Sequence, residues 1–419
     1  MTLPGRRSSS PREPLLTRAF VALFIAAFAF FTAGGVVLPV ATRYADGPLG
    51  ADALGVGIGL GAFSVAALLV RPIVGTVSDR YGRKPALLFG AALTIVALIT
   101  HLGATSLTAF IVVRAALGIG EGFFFVASLA AITDLAPESR RGEAINVGSL
   151  AVYLGLAVGP VIGESVLGAS SYTTVWLVAA IGAAIALGCS LLVPETSPAV
   201  IAMRAAARTA VRTAAQGAPD DTVTVPRPPR ARLIHPAGLL PGMLILCGTW
   251  GMAGFFAFVP LYVPSLGIEG ASVALAMYAL IVIGLRIVFA TLPDRLGPAR
   301  LAGVALVIES IGLAAIGILV SPGGLYLGTA AFAFGVAFMF PALITVAVGR
   351  VDETERGSVV GTAGAFFDVS FGIAPAVLGV VADSRGYPAV FLVGAGVAVV
   401  GAVLLASRRG SLVSSTSPA

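Results

Sequence analysis

The chain has 419 residues, of which 58% are apolar and 11% charged, with a net charge of +6 and a mean hydropathy of +1.00. A soluble domain carries about 25% charged residues, so a water-facing surface cannot be made over this length and most of the exterior must meet lipid. The basic residues lie in short runs between apolar segments, which excludes a nucleic-acid surface. Cys189 and Cys247, both inside apolar stretches, give no disulfide framework, and His101 and His235 lack metal-ligand spacing, so no metal and no cofactor is expected.

A tail with Arg6, Arg7, Arg12 and Arg18 precedes the first apolar stretch, near 20–41. That order resembles a signal peptide, but the run exceeds the roughly 7–15 residues of an h-region and eleven similar stretches follow. A helix needs about 20 apolar residues to cross the hydrocarbon core. The remaining spans are predicted near 53–77, 85–103, 107–132, 144–166, 172–193, 238–263, 271–292, 299–320, 324–347, 358–381 and 388–406. The expected fold is an all-α membrane protein of twelve transmembrane helices: a tail over 1–18, a six-helix half over 19–193, a linker over 194–237, a second six-helix half over 238–406, and a tail over 407–419.

With the N-terminus in the cytoplasm, only Arg43 and Arg385 of the basic residues fall on the outside. Arg71, Arg114 and Arg286 lie within spans, and all the others are in the tails and even-numbered loops. By the positive-inside rule both ends are cytoplasmic, in a cell or inner membrane. The linker opens with an Ala-rich stretch that puts Arg204, Arg208 and Arg212 on one helix face. That face reads as one touching anionic headgroups, with a regulatory docking site as the alternative.

An offset of 215 residues relates the two halves. Arg71, Asp79, Arg80 and Gly82 map onto Arg286, Asp294, Arg295 and Gly297; Gly120 maps onto Gly335, Arg141–Gly142 onto Arg356–Gly357, and Pro160 onto Pro375. Duplication of this kind is a transporter feature, in which two halves enclose a site near the midplane and rock about it.

The loop after the second span reads Gly75-Thr-Val-Ser-Asp79-Arg80-Tyr-Gly82-Arg83-Lys84. It resembles the G-x-x-x-D-R-x-G-R-K/R signature of the major facilitator superfamily, and the span count, repeat and central linker extend the resemblance over nearly the whole chain. The second copy keeps Asp294, Arg295 and Gly297 but loses the first glycine and the Arg-Lys pair. Gly75 is expected to let two helices approach and Gly82 to permit the turn. Asp79 is placed to cap a helix N-terminus, and the resemblance implies that this helix is the eleventh span, latched in the outward-open state. Arg80, Arg83 and Lys84 serve either this gate or plain topology anchoring.

Charges inside spans are costly and face cavities or partners. In the fourth span Arg114 and Glu121 are seven residues apart, on one face. Arg114 resembles the arginine that the family associates with proton coupling, and Glu121 is placed to titrate or to meet a cationic substrate; a helix-locking ion pair is the alternative. The fifth span carries Gly155, Gly159, Pro160, Gly163 and Glu164, similar to the antiporter signature G-x-x-x-G-P-x-x-G-G with Glu164 in place of the last glycine. Glycines four apart make a close seam, which the resemblance associates with exporters, and Glu164 is expected near the outer end within reach of water. Asp368, in the eleventh span, resembles the acid of exporter-like members and is a proton-site candidate, or else a hydrogen bond to a neighbouring helix. Glu309 is expected to be structural. Phe31, Phe124, Trp250 and Phe338 are candidates for the cavity wall, because the resemblance places the first, fourth, seventh and tenth spans there.

The expected function is a secondary active transporter, working as a monomer in lipid, that exports a small organic molecule in exchange for protons. The alternatives are a proton-coupled uptake permease of the same fold and a non-transport receptor or structural protein. The cavity acids hint at cationic cargo and the aromatics at amphiphilic cargo. No enzyme motif is present: the sequence has no H-E-x-x-H, G-x-S-x-G or Walker loop.

Overall fold

A computed structural model describes residues 15–137, 140–216, 234–289, 296–349, 351 and 355–408. The described residues form thirteen α-helices: α1 (Arg18–Asp46), α2 (Ala53–Tyr81), α3 (Arg83–Thr100), α4 (Leu107–Leu135), α5 (Arg141–Ala169), α6 (Tyr172–Leu192), α7 (Pro198–Gln216), α8 (Pro236–Tyr262), α9 (Ser272–Val288), α10 (Pro298–Ile318), α11 (Pro322–Val348), α12 (Arg356–Arg385) and α13 (Tyr387–Ser407). Eleven of them are long and apolar enough to cross a membrane, and α9, with 17 residues, is a shorter apolar helix in the place of the eighth predicted span. The Ala-rich linker stretch is α7; the side chains of Arg208 and Arg212 lie outside those described.

Local chemistry sets the helix ends. Thr17, Asp52, Ser106, Ser171 and Ser321 each accept a hydrogen bond from the backbone N–H three residues on, which satisfies a donor the helix itself leaves open. The α2–α3 turn places Gly82 at φ +116° and the equivalent Gly297 precedes α10 at φ +78°, a region closed to most side chains.

The six helices before α7 and the six after it pack by one scheme. α1 lies on α5, α2 on α4, and α3 on α4 and α6; α8 lies on α12, α9 on α11, and α10 on α11 and α13. In the α1–α5 seam, a Cβ at Gly159 would meet Gly35 and Thr32, and one at Gly155 would meet Thr32 and Phe28. The glycines of the antiporter-like segment therefore serve backbone-to-backbone packing within the N-terminal set. Outward faces stay apolar, with Leu69 at 69% and Leu280 at 71% exposure, a surface that only lipid can cover at this extent.

Between the sets, α2 packs on α12 and α5 on α9. Glycines gauge the α2–α12 seam along its length. A Cβ at Gly57 would strike Pro375, one at Gly61 the Gly372 carbonyl, and one at Gly379 Ala53, whereas Gly75, Gly361 and Gly364 have nothing within 4 Å. The seam is closed at the end bearing the α2 N-terminus and open at the end bearing the linker. Among the described residues Gly75 thus brings no helix close in this conformation, contrary to its expected role.

Candidate functional site

At the open end, the α2–α3 loop is tied to its own half. Asp79 pairs with Arg83, whose Nε also reaches Asp134 of α4 at 3.3 Å. Glu195, at the start of the linker, accepts from the backbone N–H of Arg83 at 2.8 Å and of Lys84 at 3.3 Å, capping α3 where Gly82 leaves room. Lys84 Nζ donates to the Leu191 carbonyl at 2.6 Å, and Arg80 stacks over Tyr81. Among the described residues Asp79 makes no contact with α12, its expected partner, since the halves are apart here. Asp294 and Arg295 lie outside the described residues.

Where the α2–α12 seam opens, three charges from three helices converge. Arg71 of α2 donates to Asp368 of α12 and lies 3.7 Å from Glu121 of α4. Its guanidinium also stands 4.9 Å above the Phe125 ring. The Asp368 side chain is 9% exposed and that of Arg71 23%, so the cluster borders the open space. Glu121 and Asp368, expected as separate proton candidates, are two partners of one arginine. Arg114 stands apart, about 10 Å along α4 by helix rise, with its Nε 3.4 Å from the Gly59 carbonyl and its charge over Phe63. In the sequence Arg71 is an intramembrane charge and a member of the internal repeat, and neither pattern places it at the centre of a cluster.

The repeat brings a second arginine to the equivalent place. Arg286 of α9 lies 3.9 Å over the ring of Tyr153 in α5, and its Nε donates to the Ala337 carbonyl of α11 at 3.3 Å. Subtracting the 215-residue offset from Asp368 gives Tyr153, so each arginine crosses between the halves to a partner related to the other's. The offset was available in the sequence, but nothing in it paired Arg286 with Tyr153.

The family model for the Major Facilitator Superfamily matches residues 20–322 and 271–418. The chain is a member of the major facilitator superfamily. It is 29% identical to the uncharacterized MFS-type transporter STM4428 of Salmonella typhimurium, over 88% of this chain and 91% of that protein. It is 27% identical to the uncharacterized MFS-type transporter YhhS of Escherichia coli K12, over 93% and 92%. Among solved structures, the human organic anion transporter MFSD10 (TETRAN) superposes with a TM-score of 0.67 at 21% identity over 94% of this chain and 100% of that one. A D-xylose-proton symporter does so with 0.73 at 15% over 94% and 97%. The protein is therefore a multi-pass secondary transporter of the superfamily's twelve-helix fold and not an enzyme.

In this transporter the closed end is held by two further contacts that cross between the halves. Asp383 at the end of α12 accepts from the N–H groups of Ala53 and Leu54, at 2.9 and 3.0 Å, on the first turn of α2. Glu164 near the end of α5 accepts from Ala271 N–H at the start of α9, 3.3 Å away, and pairs with Arg43 at 3.3 Å. A carboxylate on an N-terminal turn meets open donors and the positive end of the helix dipole. Glu164 is only 4% exposed, which corrects its expected hydration: the other half covers it. Glu164→Gln is expected to lower the unfolding free energy by about 1–3 kcal/mol, since Arg43 loses its counter-charge. A thermal unfolding series in detergent measures this, and an unchanged midpoint would refute it.

The remaining expected residues divide. Phe124 is fully buried and stacked on Phe30 at 4.0 Å, and Phe338 is 3% exposed against Phe334; both are packed inside their own halves rather than lining open space. Phe31 lies edge-on to Phe125 beside the Arg71 cluster, and Trp250 is half-buried with an indole N–H that finds no acceptor. Glu309 is wholly buried in α10 with neither carboxyl oxygen partnered.

Proposed function

We propose that the transporter exports a small organic molecule in exchange for protons by alternating access, with Asp368 as the proton site. The observation that carries this reading is the Arg71–Asp368 pair across the α2–α12 seam. Alternating access rearranges α2 against α12, and in this reading the pair, which sits where the closed part of the seam gives way to the open part, breaks during that rearrangement. A proton on Asp368 removes its charge, while Glu121, on the same half as Arg71, keeps the arginine compensated within the low-dielectric interior. Arg71 then passes from one carboxylate to the other without ever being left alone. A cargo that also loosens the pair serves the same switch, and two agents serving one switch in turn exchange for each other.

The distribution of basic residues supports a cytoplasmic linker end, on which reading the conformation described here faces inward. The gating loop at 75–84 would then close on α12 in the outward-facing state.

The experiment is proton movement in everted vesicles with an acidified lumen. Adding a transported compound should release lumenal protons, and Asp368→Asn should abolish the release. Compound uptake into intact cells, driven by an inward proton gradient, would instead favour the symport reading.

A further inference from the structure

We propose that Arg286 and Tyr153 form the anchoring subsite for the carboxylate of the cargo, and that this transporter moves amphiphilic organic anions. The inference deepens the transport reading above and rests on it.

Charge accounting gives the sign. Arg71 has two carboxylates, Asp368 and Glu121. Arg286 occupies the equivalent position in the other half, yet the residue equivalent to Asp368 is Tyr153, a neutral phenol. Among the described residues no carboxylate pairs with Arg286, and its Nε is used on the Ala337 carbonyl, leaving the terminal nitrogens without an acid. A guanidinium within a span is costly without a counter-charge and is a candidate functional site by default. Its planar fork suits bidentate contact with a carboxylate. At the first seam the chain supplies the acid itself; at the second the cargo does.

Access and surroundings agree. Arg286 and Tyr153 are both half-buried and sit at the repeat-equivalent level of Arg71. Arg114, also without a carboxylate, is 3% exposed and shut in by Phe63, so it is not reachable in the same way. One turn along α11 from Ala337, Phe340 lies edge-on to Phe367, a partly buried aromatic surface for an apolar body. The acids that hinted at cationic cargo both meet Arg71, Glu309 is enclosed within α10, and the half-buried intramembrane charge that no carboxylate pairs with among the described residues is Arg286.

Binding to purified transporter in nanodiscs tests this, with benzoate, indole-3-acetate and 4-phenylbutyrate as probes, each beside its primary amide. At least one acid should bind, with its amide about 10- to 100-fold weaker, the weight of a charge-assisted hydrogen bond. Arg286→Gln should remove that preference and Tyr153→Phe should keep it. Tyr153→Asp should fold, because it copies the Arg71–Asp368 arrangement, and should lose acid binding because the site then holds its own carboxylate. Equal binding of acid and amide, no binding of any of the three acids, or undiminished binding by Tyr153→Asp would overturn the proposal. Vesicles that exchange protons for a cationic dye and for no acid would overturn it while leaving proton-coupled transport standing. Acid binding with no proton exchange for any compound would do the reverse.

Discussion

Asp368→Asn is expected to give a folded protein that still binds cargo but no longer couples cargo to protons. Asparagine keeps the shape and can accept one hydrogen bond from Arg71, and Glu121 remains 3.7 Å away to hold the charge. The asparagine cannot gain or lose a proton, so the switch between the two carboxylates is lost. Coupling free energies of ordinary size change affinity about 5- to 150-fold, and that pH dependence of cargo binding should vanish in the variant. Titrating cargo affinity of both proteins between acid and alkaline pH checks this. A variant whose affinity still follows pH as the parent's does would move the proton site elsewhere, with Glu121 the next to test. Arg71→Gln has the opposite character: it leaves two carboxylates facing each other without a cation. That change is expected to destabilise the fold by about 3 kcal/mol or more.

Substituting glycines at the two ends of α2 should trap opposite states. At Gly57 a side chain would overlap Pro375 of α12, so Gly57→Leu strains the closed end described here. At Gly75 nothing stands within 4 Å, so Gly75→Leu fits this state and obstructs only the one in which the linker end closes. Overpacking costs about 1–3 kcal/mol, comparable with the few kcal/mol that separate alternating conformers, so each change moves the population about 5- to 150-fold. Spin labels at Pro48→Cys and Ser384→Cys, with Cys189 and Cys247 replaced by serine, report the separation of the closed end. Gly57→Leu should lengthen that distance and Gly75→Leu should hold it short, with transport lost in both. Matching distances in the two variants would contradict the seam as drawn.

The far-end contacts differ in kind from the glycine seam. Asp383 on the α2 turn and Glu164 on the α9 turn hold the halves together by hydrogen bonds. The glycine contacts are steric, and set how near α2 and α12 can come at all. A variant of these hydrogen bonds shifts stability, while a seam variant changes which conformations exist.

Much of this protein is legible without coordinates, because the relevant physics is local. A lipid core demands long apolar runs, and these mark the helices to within a few residues, as at 53–77 against Ala53–Tyr81 and 324–347 against Pro322–Val348. The turn at Gly82 follows from a backbone conformation that glycine alone tolerates well, and the 215-residue register survives because both copies pack by one scheme. The partners of the charges were not legible. Arg71 and Asp368 are 297 residues apart, and pairing energy depends on how two halves meet in space, which no local pattern encodes. For the same reason only the tertiary structure decided that Gly75 packs on nothing in this state, that Glu164 is buried under α9, and that Phe124 and Phe338 belong to packed cores. It also brought the two acids to one arginine and left Arg286 facing a phenol.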